Sequence, residues 1–193
     1  MKKTALVLGI LLMSVFSYAQ NKDVLKDIQK IRFYGVDFSK AKVYGAKETP
    51  SQFKIAFEEI NNLFLSEPKK FNVEKYMNKT NMGVEVDGVK DRIKQINLDD
   101  IQTTSEQYEL SNADLQSIVK AIPTKDETTG VIYIAELLNK PKNRGYYHIV
   151  FFNPQTKEII DTWKADGKAQ GFGVRNFWAG SIYKMMKDFK LNK

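Results

Sequence analysis

Apolar residues recur along this chain at two spacings, and one mainly apolar run stands ahead of both. That run, Ala5 to Phe16, follows Lys2 and Lys3 and precedes Ser17-Tyr18-Ala19. A positive start, a short apolar stretch and small residues at its end are the pattern a signal peptidase reads. At about a dozen residues the stretch is too short for a bilayer-spanning helix, which needs ~20. Residues 1–19 are therefore expected to be a signal peptide cleaved after Ala19, leaving Gln20 first, with residues 20–193 as a single domain.

Downstream, Gln20 to Ile31 reads either as a short helix or as an irregular lead-in. Ile31 to Phe38, continued by Lys42 to Gly45, alternates apolar and polar residues as a half-buried strand does. Thr49 then stands as an N-cap before Pro50, with Gln52 completing a capping box. Phe53, Ala56, Phe57, Ile60, Leu63 and Phe64 follow at helical spacing up to Pro68. A short capped turn is expected at Asn72. Gly83 to Val86 reads as a strand entering an Asp87-Gly88 turn. Val89, Ile93 and Ile96 fit either a helix or a hairpin partner, and the structure of residues 89–110 stays open. Ser111 with Asp114 forms a second capping box, opening a helix through Leu115, Ile118, Val119 and Ile122 to Pro123.

The last third is more regular. Val131 to Leu138 is apolar on both faces, as a central strand is, and Tyr146 to Phe152 and Glu158 to Trp163 follow as a three-strand antiparallel meander. Beyond the connection Gly167 to Gly173, the residues Val174, Phe177, Trp178, Ile182, Met185 and Phe189 repeat at helical spacing. These elements predict an α+β fold: a two-layer, antiparallel-rich sheet with a carboxy-terminal three-strand meander and helices packed on one face.

Composition narrows the chemistry. The charge is +7, and because Lys2 and Lys3 leave with the signal while no acid does, the mature chain carries +5. Lysines and acids are interspersed, so no nucleic-acid stripe is expected. Without cysteine there is no disulfide, no thiol catalysis and no lipid on a post-signal cysteine. One histidine and no cysteine leave the usual structural zinc sets unfilled, and no cofactor is expected. Neither a G-x-S-x-G elbow, a P-loop nor an H-E-x-x-H occurs.

Tyr34-Gly35-Val36-Asp37-Phe38-Ser39, Phe151-Phe152-Asn153 and the run Gly171 to Gly180 resemble phrases of small secreted Bacteroidetes-type proteins of unknown function. The layout is also similar, at the level of fold alone, to the envelope domains typified by the TolB amino-terminal domain. Neither resemblance implies a functional residue.

Four groups of residues carry candidate chemistry. His148 shares a strand face with Tyr146, Val150 and Phe152, and would need a carboxylate or nucleophile brought to it by the fold to serve as a base. Asp37, Glu136, Asp161 and Asp166 lie in or near strands and would have to converge to act as an acid pair. Tyr146, Tyr147 and Trp163 can stack on sugars or bases if exposed, and are core if not. Lys168, Gly171, Gly173, Arg175 and Asn176 surround the start of the last helix, where unpaired amides attract anions; the plainer reading of the glycines is a tight turn. The expected function is an exported envelope binding or interaction module, with an enzyme using an acid pair or His148 on a small or glycan substrate as the alternative. The expected partner is an envelope protein or a small anionic ligand, with no stable membrane anchor in the mature chain.

Mass spectrometry of the protein purified from an exporting host should find a chain beginning at or next to Gln20. An uncut chain in the cytoplasm would contradict export.

Overall fold

The computed structural model describes residues 22–189. The predicted signal segment lies outside the described residues. In chain order the elements are α1 (Lys22–Asp27), β1 (Lys30–Asp37), β2 (Lys42–Tyr44), α2 (Pro50–Ser66), α3 (Val73–Met77), β3 (Thr80–Val84), α4 (Asp87–Lys94), a 3₁₀ turn (Leu98–Asp100), β4 (Gln102–Thr103), α5 (Asn112–Ala121), β5 (Gly130–Asn139), β6 (Arg144–Phe152), β7 (Ile159–Lys168) and α6 (Gly173–Asp188).

All seven strands join one sheet. β5 holds its centre, with β1 and then β2 along one side and the antiparallel pair β6 and β7 on the other. β3 flanks β1 and β4 flanks β2. Four of the six pairings, β1–β3, β1–β5, β2–β4 and β2–β5, are parallel. The sheet is thus mostly parallel and α/β-like, which overturns the antiparallel-rich two-layer α+β fold expected from the sequence. The cause is in the connections. From β2 to β5 every strand is followed by a helix before the next strand, and such crossovers return the chain in the same direction. The carboxy-terminal meander is present as β5, β6 and β7, joined by short turns.

Helices also cover both faces, not one. On one face Phe33, Tyr133, Ile149 and Phe151 pack against Phe57 and Phe64 of α2 and Trp178 and Ile182 of α6. On the other, Tyr34, Ile132, Ile134, Val150 and Phe152 meet Leu115, Ile118 and Val119 of α5. Both capping boxes form as the sequence predicts, at Thr49 with Gln52 and at Ser111 with Asp114. The Asp87-Gly88 pair makes no turn of positive φ; it is the first turn of α4, and the open segment after it is helical through Lys94.

Two one-residue bulges set which side chains reach which face. In β1, Phe33 pairs with Val131 but Val36 pairs with Tyr133, three steps against two. The extra residue returns Val36 and Phe38 to the larger core beside Phe33 and sends Asp37 to the opposite side. In β5, Ala135 pairs with Tyr147 and Leu137 with Tyr146, so Glu136 is the bulged residue.

α6 seats very closely on β7: a Cβ at Gly167 would collide with the Ser181 carbonyl. Trp178, 1% exposed, sits at the centre of that contact face. Trp178→Ala should destabilise the fold by about 3–5 kcal/mol, the usual cost of emptying a large buried aromatic site, as read by urea unfolding. An unchanged midpoint would remove Trp178 from the core.

Candidate functional site

Parallel strands offer their ligand sites at their carboxyl ends, where the loops leave the sheet. Here β1 ends at Asp37, which is fully buried. Its Oδ2 takes Arg92 Nε at 2.6 Å, and its Oδ1 takes the amide and hydroxyl of Ser39 at 2.8 and 2.6 Å. Arg92 also donates to the Ser39 hydroxyl. The aspartate therefore ties α4 to the exit of β1. Each of these bonds is to another residue of the protein, and the arrangement is a buried structural ion pair.

A second polar cluster lies near the carboxyl end of β5. Glu136, 6% exposed, and His148, 3% exposed, face each other across the β5–β6 ladder, with Glu136 Oε2 2.7 Å from His148 Nε2. The same Oε2 accepts the Leu110 amide at 2.8 Å. The fold thus brings His148 the carboxylate that its own strand lacks. Burial by itself would raise the Glu136 pKa; the His148 and Leu110 hydrogen bonds and the nearby charges of His148 and Lys164 override it and hold the group below the usual carboxylate range. Oε1 accepts no hydrogen bond from any described residue.

Above this pair opens a cleft of about 390 Å³, walled by Glu106, Gln107, Tyr108 and Glu109 from the segment before α5, with Glu136, Leu137 and Tyr146 from the sheet. Such a volume suits a small molecule. The Tyr108 hydroxyl donates to the Lys40 carbonyl at 3.0 Å, and Lys42 Nζ lies 5.9 Å from its ring centre. Burial, then the charges of Asp114 and Glu136, raise the Tyr108 pKa and keep its proton in place. The Tyr146 hydroxyl makes no hydrogen bond to a described residue. Lys142 pairs with Glu106 at 3.4 Å and Lys164 with Glu109 at 3.1 Å on the rim. Among the described residues no three acids or histidines stand together to hold a metal ion. Two smaller clefts, of about 240 and 270 Å³, lie beside Val43 and beside Tyr34.

No family model and no curated protein matches the chain.

The candidate residues named from sequence distribute as follows. The four acids do not pair with one another: Asp37 meets Arg92, Glu136 meets His148, Asp166 meets Arg144, and Asp161 accepts the Thr162 amide. The aromatic trio splits, since Tyr147 is buried with its hydroxyl 2.6 Å from Ser181 Oγ, Trp163 packs edge-on against Phe151 and Phe189, and Tyr146 alone lines the cleft. Lys168 ends β7, opposite Arg144. Gly171 and Gly173 have φ of +129° and +75° and lead into α6, whose N-cap, Phe172, supplies no side-chain hydrogen bond and is 97% exposed. Arg175 Nε donates to Asn176 Oδ1 at 3.0 Å, and its Nη1 lies 3.9 Å from Glu59. The structure brings Gly171, Arg175 and Asn176 to one turn, on the other side of the sheet from the Glu136 cleft. Tyr108 and the acids of residues 106–109 were missed, because that segment has no hydrophobic period to place it. The one available signal was Tyr108 itself, an aromatic standing among acids.

Asp114, at the mouth of α5, is held down at about 2 by the Lys40 ammonium first and then by the Ser111 hydroxyl and amide. The Arg32 guanidinium first, then the Thr128 amide, hold Asp126 down to about 2. Both folded values lie below the ordinary aspartate value of about 3.9. Their stabilisation is therefore complete above about pH 4 and is lost as pH falls through the folded values near 2. Chemical unfolding measured across that window should show declining stability, with a shallower decline for Lys40→Met. An equally steep decline in that variant would show that the Lys40–Asp114 pair is not responsible.

Proposed function

We propose that the mature chain is an exported, non-enzymatic binding module of the bacterial envelope, and that a small polar ligand occupies the cleft over Glu136. The observation that carries this reading is one cleft of small-molecule size lined by Glu136 and Tyr146, whose Oε1 and Oη have no described protein partner. Two residues with unused polar groups on one cleft give a ligand points for orientation.

Export is supported by Lys2, Lys3, the run Ala5 to Phe16 and the small residues before Gln20. The resemblance to small secreted Bacteroidetes-type proteins agrees with it. No described helix is long and apolar enough to cross a membrane.

One observation favours an enzyme instead. The His148–Glu136 distance of 2.7 Å is that of a base held by an orienting carboxylate. Against it, no hydroxyl of a described residue bonds to His148, so a nucleophile is missing. A reaction would have to use water.

Residues 20–193 incubated with mixtures of amines, sugars and carboxylates should show a saturable rise in melting temperature with at least one mixture. At a hundredfold excess over Kd the linkage is about 2.7 kcal/mol, or roughly 5–10 °C for a chain of this size. The bound compound should be recovered unchanged by mass spectrometry, and Tyr146→Ala should weaken the rise. No shift with any mixture would overturn the binding reading. Steady conversion of the compound, abolished in His148→Gln, would replace it with the enzyme.

A further inference from the structure

We propose that the cleft over Glu136 selects a small organic cation, one ammonium or quaternary ammonium group on a body no larger than a monosaccharide. The inference rests on the reading of this cleft as the ligand site.

The floor supplies the charge. Both hydrogen bonds that Glu136 accepts converge on Oε2, from Leu110 N and His148 Nε2. Oε1 keeps its lone pairs for whatever enters. Glu136 is held ionised although only 6% of it is exposed. A largely buried carboxylate with an open oxygen gains most from a charged donor.

The walls agree in sign. The other ionisable groups lining the cleft are Glu106 and Glu109 along with the two tyrosines, and no lysine or arginine belongs to the lining. Glu106 and Glu109 already have Lys142 and Lys164 beside them. Of the three lining acids, Glu136 is the one with no lysine bridged to it among the described residues, so a single positive charge on the ligand fits better than several. The Glu136 carboxylate, which has no lysine bridged to it among the described residues, disfavours a small anion.

The rings add selectivity for an organic cation. Lys42 already stands 5.9 Å from the Tyr108 ring centre, so the Tyr146 ring is the one left to meet a ligand cation. Tyr146, without a described ring or hydrogen-bond partner, offers its ring and hydroxyl to the ligand. The described residues hold no set of three acids or histidines for a bare metal ion. Cavity size, carboxylate and aromatic wall together describe a pocket for a substituted ammonium.

The test titrates residues 20–193 with choline, butylammonium and glucosamine, and with their uncharged counterparts 3,3-dimethylbutanol, butanol and glucose. Backbone amide shifts of Leu110, Leu137 and Tyr146 report on the cleft. At least one cation should give saturable shifts at these amides, with its counterpart binding at least tenfold more weakly. Glu136→Gln keeps an acceptor for Leu110 and should weaken the cation at least tenfold while leaving the counterpart unchanged. Should Glu136→Gln unfold, Tyr146→Ala at the half-buried wall serves in its place, with the same loss expected. Equal binding of cation and counterpart would overturn the cation selectivity and leave the cleft as the site. No saturable shift from any of the six compounds would overturn the site and the selectivity together.

Discussion

The alternation of side chains in β1 and β5 breaks at two residues, and the positions of Asp37 and Glu136 depend on those breaks. At Gly35 the chain takes a φ of +79°, and Asn61 of α2 reaches across to bond both the amide and the carbonyl of Val36, at 2.8 and 2.9 Å. A Cβ at Gly35 would lie 2.7 Å from Asn61 Oδ1 and 2.8 Å from Val89, so glycine is required both for the angle and for the approach. Without the bulge, Val36 and Phe38 would leave the core and Asp37 would enter it. The buried amide of Asn61 is thus what allows one strand to serve a hydrophobic face first and a buried ion pair immediately after.

The second break acts on the candidate site. Because Glu136 is the extra residue of β5, Glu136 and its neighbour Leu137 both line the cleft, where an unbroken strand would turn one of them to the other face. The same register sets His148 opposite Ile134, two residues from the bulge, within reach of the carboxylate. The polar pair is a consequence of strand geometry. Its location near the carboxyl end of a strand with parallel neighbours follows from the crossovers that make those neighbours parallel.

Local signals were legible in the sequence wherever one residue decides a local conformation. Thr49 with Gln52 and Ser111 with Asp114 name the starts of α2 and α5, and the meander shows in the apolar runs of β5 and β6. The strand order was not legible, for a physical reason. β4 is two residues, Gln102 and Thr103, and β3 is Thr80 to Val84 with none of its residues buried, so neither carries a period-two hydrophobic pattern. Short edge strands are held by backbone hydrogen bonds, which leave no trace in side-chain pattern. β4 leaves no signal and β3 reads only as Gly83 to Val86 entering a hairpin turn, so the strand–helix alternation that signals a parallel sheet could not be seen. The site was half legible: His148 and Glu136 were noticed separately, but their meeting depends on a bulge, and the wall of residues 106–109 depends on tertiary contacts alone.

The wall and the floor of the cleft are joined through the carboxylate that defines the site. Leu110 closes the 106–109 segment onto the sheet through its bond to Glu136 Oε2, and the Tyr108 hydroxyl fastens the same segment to the Lys40 carbonyl. Removing the Glu136 carboxylate would leave the Leu110 amide and the His148 ring proton without their acceptor, and an unmet buried donor costs roughly 1–3 kcal/mol. Loss of binding in a Glu136 variant without an acceptor would therefore mix two effects, a missing ligand contact and a displaced wall. Tyr146 is free of that ambiguity, since no described residue depends on its hydroxyl. The residue that best isolates recognition in this cleft is consequently the tyrosine at its side, while the glutamate at its floor reports how far recognition and folding share one group.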